Sequence, residues 1–275
     1  MTAPVTGPTT GPTIGQKTAQ TIPYLPADFL RLPLAHRALH DVSDGRPENS
    51  RAAIRAAIAA GYGIEIDLQL SSDNRAMVFH DYALDRLTGD KGPVRLRSAQ
   101  NLAAIPLTGS DEGIPDLAEV LEIVAGQVPL LIELKDQDGA MGTNIGALEH
   151  ATADILCGYG GPVGLMSFNP NSVGMMADLM PEVPRGIVTS AYDPDDWPLS
   201  KVVCDHLRAI PDFERTRSSF VSHEVDDVTR PRVLELKENG ADILCWTVRS
   251  AAQETQAREV VQNITFEGYL AALRS

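Results

Sequence analysis

Short apolar runs alternate with segments of helical periodicity along most of this chain. Nearly continuous apolar stretches, typical of parallel strands that are covered on both faces, occur in "YGIEIDLQL", "VPLLIELKD" and "DILCWTV". "SRAAIRAAIAAG" (50–61) and "DLAEVLEIVAG" (116–126) repeat apolar residues at helical spacing and end at glycine. Repeated strand–helix units over about 245 residues predict an α/β fold, a TIM-type (β/α)8 barrel.

The strand pattern leaves one irregularity. We find nine strand-like runs, from "LRLPLAHR" (30–37) to "NITFEGYL", where a barrel needs eight. The connection between Asp67 and the next run, "AMVFHD", is too short to hold a helix. One run is therefore expected to be irregular or to lie outside the barrel. No glycine-rich phosphate loop follows a strand, which argues against a nucleotide-binding open sheet.

The first 25 residues differ from the rest in composition. Pro, Gly and Thr dominate them, and "TGPT" occurs twice in succession, at residues 6–9 and 10–13. Such a stretch cannot form a packed element. We predict a flexible arm over residues 1–25 and a single barrel domain over residues 26–275.

Composition and charge narrow the class of partner. Of 275 residues 43% are hydrophobic, enough for a substantial core, and the formal net charge is -14. That charge argues against nucleic acid as a partner and against electrostatic attachment to anionic lipid. No apolar run reaches the roughly 18 residues of a membrane span, and no secretory signal is evident. A cytoplasmic protein with three reduced, scattered cysteines is expected.

Seven polar residues fall toward the ends of four successive predicted strands. Barrel enzymes build their active sites at the carboxyl ends of strands, so we expect these side chains to meet. The seven are His36, Arg37, Glu65, Asp67, His80, Glu133 and Lys135.

The three carboxylates among them indicate a metal. Glu65 and Asp67 lie two apart on one strand and so point the same way. Burying them side by side is costly unless a cation joins them. With Glu133 they form an all-oxygen ligand set suited to one divalent cation, Mg²⁺ or Ca²⁺.

The other four residues indicate phosphodiester cleavage. Arg37 and Lys135 are natural donors to a phosphoryl oxygen. His36 and His80 would act as general acid and base, because imidazole titrates near neutral pH. Each residue also has an ordinary structural explanation, and Glu133 with Lys135 alone would make a plausible salt bridge.

An ordered set of motifs resembles the glycerophosphodiester phosphodiesterase family. The motifs are "AHR" (35–37), "PENS" (47–50), "EIDLQLSSDNRAMVFHD" (65–81), "DRLTGDKGPV" (85–94), "IPDLAEVLE" (114–122) and "IELK" (132–135). The resemblance implies a metal-dependent barrel enzyme that hydrolyses glycerophosphodiesters to sn-glycerol 3-phosphate and an alcohol. By position it assigns metal binding to the three carboxylates, acid/base catalysis to the two histidines and phosphate binding to Arg37 and Lys135. It further implies that Trp246 lines the substrate pocket, although this residue could equally pack in a core.

The chain departs from the family pattern in two places. Ala38 stands where the family usually has glycine, and a longer loop, residues 38–46, follows it; its His40 and Asp41 could reach the site. The common ending "TD.P" is replaced by "NITFEGY", so any role of the last strand end is open. His223, at another predicted strand end, has a structural and a substrate-binding interpretation.

Three alternatives stay open. Phospholipase C-like cleavage through a cyclic phosphate would use the same residues, with attack by a hydroxyl of the substrate itself. Lys135 as a Schiff-base lysine would need a depressed pKa, which its acidic neighbours disfavour. A retired enzyme that serves only as a binding module would be expected to lack some of these residues.

Overall fold

The computed structural model describes residues 22–273 and contains a closed eight-stranded parallel barrel, as predicted. The first barrel strand pairs with both the second and the last, which closes the ring. The barrel strands are β1 (Leu34–Ala35), β2 (Gly63–Leu70), β4 (Leu130–Leu134), β5 (Val163–Ser167), β6 (Arg185–Thr189), β7 (Phe220–Glu224), β8 (Asp242–Val248) and β9 (Asn263–Phe266).

The ninth strand-like run lies outside the barrel. This run, β3 (Ala76–Val78), pairs antiparallel with the last three residues of β2. β2 is longer than most of its neighbours because Gln69 and Leu70 continue past its pairing with β4 and, together with Leu68, pair with β3. The short connection, from Leu70 to Ala76, is thus a hairpin turn. His80 therefore follows a hairpin at the barrel rim instead of a barrel strand.

Helices follow most barrel strands and begin and end as their sequences indicate. Ser50 and Asp116 cap their helices through backbone N–H groups three residues on, and Gly61 ends the first of these with a left-handed backbone. The helices are α1 (Ala27–Arg31), α2 (Arg51–Ala60), α3 (Ala99–Ala103), α4 (Leu117–Val124), α5 (Ala147–Leu156), α6 (Pro170–Leu179), α7 (Lys201–Arg208), α8 (Pro231–Glu238) and α9 (Ala251–Ala257).

The prediction of a strand over residues 30–37 was wrong in its first half. Residues 27–31 form α1, and only Leu34 and Ala35 pair as a strand. Pro33 explains the break, since the residue before a proline avoids helical backbone angles and Leu32 is extended. Phe29 of α1 is fully buried and packs with Leu34 in the apolar cluster that includes Phe220.

Asn263 ties α1 to the barrel, and its loss is expected to destabilise the fold. Its buried amide donates to the carbonyls of Phe29 and Leu32 at 2.7 and 2.6 Å. Asn263→Ala removes the hydrogen bonds to both buried carbonyls, so we expect the free energy of unfolding to fall by about 2–3 kcal/mol in urea denaturation. Gln256→Ala, at an exposed position of α9, is the control and should change it by less than about 0.5 kcal/mol. Equal effects in the two variants would show that the Asn263 contacts contribute nothing.

Most of the predicted arm, residues 1–25, lies outside the described residues. Of its last four residues, Leu25 is buried in the same cluster as Phe29, while Tyr24 is exposed. Within residues 22–273 no helix has both the length and the apolar character needed to cross a bilayer.

Candidate active site

Strand register brings the three predicted metal-binding carboxylates together inside the barrel. The pairing of β2 with β4 sets Asp67 beside Glu133, and Glu65 lies on the same face of β2. One oxygen from each carboxylate lies within 4.8 Å of the other two, and all three residues are buried. Burial, followed by the charges of Asp67 and Glu133, raises the pKa of Glu65 well above its ordinary value. Bringing the three together therefore has an electrostatic cost.

Lys135 offsets part of that cost. Its Nζ lies 2.8 Å from both Asp67 Oδ1 and Glu133 Oε1. Burial alone would lower the pKa of Lys135, but the two carboxylates raise it above its ordinary value. The lysine is therefore charged at neutral pH, which argues against a Schiff-base role.

A left-handed turn after β1 positions Arg37, the second cationic side chain beside the carboxylates. Arg37 and Ala38 have φ angles of 52° and 66°, so alanine here takes the backbone conformation that glycine favours. In this turn the backbone N–H of Arg37 donates to Glu65 Oε2 at 2.9 Å. The Arg37 guanidinium binds Glu48 at 2.8 Å and lies 3.7 Å from Asp67. The turn thus supplies a backbone hydrogen bond to Glu65 and places the Arg37 guanidinium beside Asp67.

His36 is held by a carboxylate from the far end of the chain. Its Nδ1 lies 2.6 Å from Oε2 of Glu267, the residue after β9. Burial is the main influence on His36 and lowers its pKa, although Glu267 acts in the opposite direction. The pairing keeps Nδ1 protonated, which leaves the lone pair on Nε2. His36 is therefore neutral at neutral pH and ready to accept a proton.

His80 has a matching partner next to it in sequence. Its Nδ1 lies 2.6 Å from Asp81 Oδ1, and Arg86 clasps the same carboxylate at 2.7 and 2.8 Å. Burial raises the pKa of Asp81, but the hydrogen bonds from His80 and Arg86 outweigh it and hold the pKa below its ordinary value. Both imidazoles therefore bind a carboxylate through Nδ1. They differ in exposure, since the His80 side chain is 29% exposed and the His36 side chain 12%.

Two cavities meet at these residues. We call them the inner cavity, of about 130 Å³, and the outer cavity, of about 610 Å³. His36 lines the inner cavity, whereas His80 and Trp246 line both. A small cavity lined by both charged and apolar side chains thus adjoins a larger one, with His80 at the boundary.

The carboxylate cluster fits a hard divalent cation. Among the described residues, the Arg37 N–H binds Glu65 at Oε2 and the Lys135 ammonium lies by Glu133 Oε1, which leaves Glu65 Oε1 and Glu133 Oε2 for a cation. When all three are ionised, the carboxylates outnumber the two cationic side chains beside them, Lys135 and Arg37, so a bound divalent cation would offset the remaining negative charge. An all-carboxylate set is the type that Mg²⁺ and Ca²⁺ prefer.

All eight residues predicted for the site lie in or beside the inner cavity. Asp67 does not line it but touches its Lys135. Trp246 also donates from Nε1 to the Ser222 carbonyl at 3.1 Å. His223 lies apart: it is fully buried, with its ring nitrogens near Thr189 and Asp227, and lines neither cavity.

Sequence reasoning missed four residues of this region. Glu267 and Asp81 hold the histidines, and Arg249 binds the other Glu267 oxygen at 2.8 Å. Asn49 donates to Asp67 Oδ2 at 2.9 Å, while the neighbouring Ser50 caps α2. Asp81 was signalled by its position beside His80 in the "HD" motif. The only sequence signal for Glu267 was its position directly after the last predicted strand, because it is far from His36 along the chain.

The loop over residues 38–46 also touches this network. His40 Nε2 lies 3.6 Å from Glu267 Oε2, whereas Asp41 is exposed and accepts a hydrogen bond from the backbone N–H of Ser43. The loop therefore places a second imidazole beside the carboxylate that holds His36.

Comparisons with known proteins agree with this geometry. The sequence model of the glycerophosphoryl diester phosphodiesterase family matches residues 36–263. The Bacillus subtilis protein YhdW, whose name marks it as a candidate glycerophosphodiester phosphodiesterase, is 29% identical over 234 residues. That alignment covers 82% of this chain and 88% of YhdW.

Solved structures share the fold. A phosphodiesterase from Oleispira antarctica superposes with a TM-score of 0.71 at 23% identity, covering 88% of this chain and 94% of that one. A glycerophosphodiester phosphodiesterase from Thermotoga maritima gives a TM-score of 0.64 at 21% identity, covering 85% and 92%. Since the family match spans most of the chain and includes the carboxylates and histidines described above, this protein belongs to the glycerophosphoryl diester phosphodiesterase family and is a phosphoric diester hydrolase.

Proposed function

We propose that this chain hydrolyses glycerophosphodiesters to sn-glycerol 3-phosphate and an alcohol, with a divalent cation and two histidines. The observation that carries the proposal is the pairing of each histidine, through Nδ1, with a carboxylate beside a three-carboxylate cluster. The Oleispira antarctica phosphodiesterase was solved with the product sn-glycerol 3-phosphate, which supports the same product here.

His36 is the proposed base. Because burial lowers its pKa, the ring is neutral at neutral pH and Nε2 can accept the proton of the attacking water. Glu267 then stabilises the imidazolium that forms, as a buried carboxylate does for a catalytic histidine.

His80 is the proposed acid. It lines the outer cavity as well as the inner one, so it stands where an alcohol leaving toward the vestibule would pass. Asp81 holds the ring through Nδ1, so that Nε2 of the imidazolium would donate its proton to the departing alcohol oxygen.

Glu65, Asp67 and Glu133 would hold the cation. When bound, it would supply Lewis-acid stabilisation of charge on the phosphoryl oxygens. Arg37 and Lys135, both lining the inner cavity, orient the phosphate and offset its charge. The alternative Schiff-base chemistry has no support in a lysine with a raised pKa.

Metal removal tests the proposal directly. We expect Mg²⁺ or Ca²⁺ to support release of sn-glycerol 3-phosphate from glycerophosphocholine and glycerophosphoethanolamine, measured with coupled glycerol 3-phosphate dehydrogenase. EDTA should abolish release, and excess cation should restore it, because the cation neutralises the carboxylate cluster and stabilises the phosphoryl charge.

Two results would contradict the proposal. Full activity after exhaustive chelation would remove the cation from the reaction. Accumulation of a cyclic glycerophosphate, seen by ³¹P NMR in place of the monoester, would assign the chain to phospholipase C-like cleavage.

A further inference from the structure

The outer cavity has a wall of aromatic rings. Phe168 contacts Trp246 edge to face, with ring centroids 5.5 Å apart and planes at 83°. It also meets Trp197, at 5.2 Å and 56°. Tyr82 and Met141 extend this apolar lining. Rings set at steep angles around one corner present both faces and edges to a bound group.

The same cavity is acidic away from the residues it shares with the inner cavity. Its remaining charged lining consists of three carboxylates, Asp81, Asp85 and Asp136, and one cation, Arg86. The loop that carries Trp197 adds an exposed acidic stretch, "DPDD" (193–196). A cationic group in this vestibule would be attracted by the summed charge.

Two of the three carboxylates, Asp81 and Asp136, already accept several hydrogen bonds, while Asp85 accepts one, from the backbone N–H of Gly92. Asp136 accepts bonds from the backbone N–H groups of residues 138, 139 and 141 and from the Asn169 amide. Both oxygens of Asp81 bind Arg86, and one also binds His80. These two acids therefore act through charge and offer little to a ligand that must donate hydrogen bonds.

We propose that the outer cavity binds a trimethylammonium group, so that the substrate is a diester of a choline-type alcohol. This inference rests on the proposed function and specifies its leaving group. A quaternary ammonium has an apolar surface, a positive charge and no hydrogen to donate, which matches an aromatic wall backed by engaged carboxylates. A primary ammonium would give up more hydration than a quaternary one at the aromatic corner, where Asp81 and Asp136 already accept other hydrogen bonds.

Three esters of sn-glycerol 3-phosphate distinguish the effect of the positive charge of the alcohol group from the effect of its shape. They are the choline ester, the ethanolamine ester and the 3,3-dimethylbutyl ester, in which carbon replaces the quaternary nitrogen. We expect kcat/KM for the choline ester to exceed both others by about tenfold, the size expected for a partly desolvated cation–π contact.

Trp197 variants test the wall itself. Trp197→Leu keeps an apolar side chain but no ring, and should bring the ratio of choline to dimethylbutyl ester toward one. Trp197→Phe should retain most of the ratio. Val202→Ala, at an exposed position of α7, is the matched control and should leave the ratio unchanged.

The outcomes are distinct. Equal kcat/KM for the choline and dimethylbutyl esters, or for the choline and ethanolamine esters, would overturn the inference while the proposed function stands. Hydrolysis of none of the three would reject the proposed function together with the inference. If Trp197→Leu fails to fold, as judged by circular dichroism, the wild-type comparison of the three esters still decides the matter.

Discussion

His36→Ala and His80→Ala are each expected to lower kcat/KM for glycerophosphocholine by about a hundredfold or more, since positioned acid/base groups usually contribute this much. Each ring lines the inner cavity and is fixed through Nδ1 by its own carboxylate. Steady-state kinetics with saturating Mg²⁺ would measure the loss. His150→Ala, at an exposed position of α5, is the control and should retain full activity.

An activated leaving group separates the two roles. A p-nitrophenyl ester of glycerol 3-phosphate departs without protonation, so the proposed acid should matter less for it. The loss in His80→Ala should shrink by at least about tenfold with this ester, while the loss in His36→Ala should persist. The opposite pattern would exchange the two roles, and activity unaffected by both substitutions would refute both assignments.

The barrel and its carboxylate cluster follow from local sequence. Glu65 and Asp67 share a face because strand side chains alternate, and Glu133 sits in the neighbouring barrel strand. These relations need only strand periodicity and the order of strands in a barrel. Ser50, Asp116 and Gly61 likewise mark helix ends through local hydrogen bonding and backbone angles.

What escaped prediction depends on contacts distant in sequence. Glu267 meets His36 only because β9 closes the barrel beside β1. The outer cavity is assembled from loops after several strands, and no periodicity places Trp197 against Phe168. The short α1 was hidden because "LRLPL" has the apolar content of a strand, and only the proline signals the change.

Glu267→Gln is expected to reduce kcat by about one to three orders of magnitude, with little change in KM, because Glu267 is a positioning residue for His36. The hydrogen bond from His36, with the His40 imidazole 3.6 Å away acting in the same direction, holds the pKa of Glu267 well below its ordinary value, so it is a carboxylate at neutral pH. Glutamine keeps the size but loses the charge that stabilises the imidazolium. Glu267→Asp keeps the charge on a shorter arm and should recover part of the rate. Glu259→Gln, exposed after α9, is the control.

The pH profile distinguishes this role from a merely structural one. Glu267 raises the pKa of His36 against the larger effect of burial, so removing its charge must lower that pKa further. Since the proposed base works in its neutral form, the acid limb of kcat/KM should move to lower pH in Glu267→Gln. A variant that lost activity only through altered packing would keep the wild-type limb. A limb that moved to higher pH would mean that the group titrating there is not His36, and the proposed base would have to be sought elsewhere in the inner cavity.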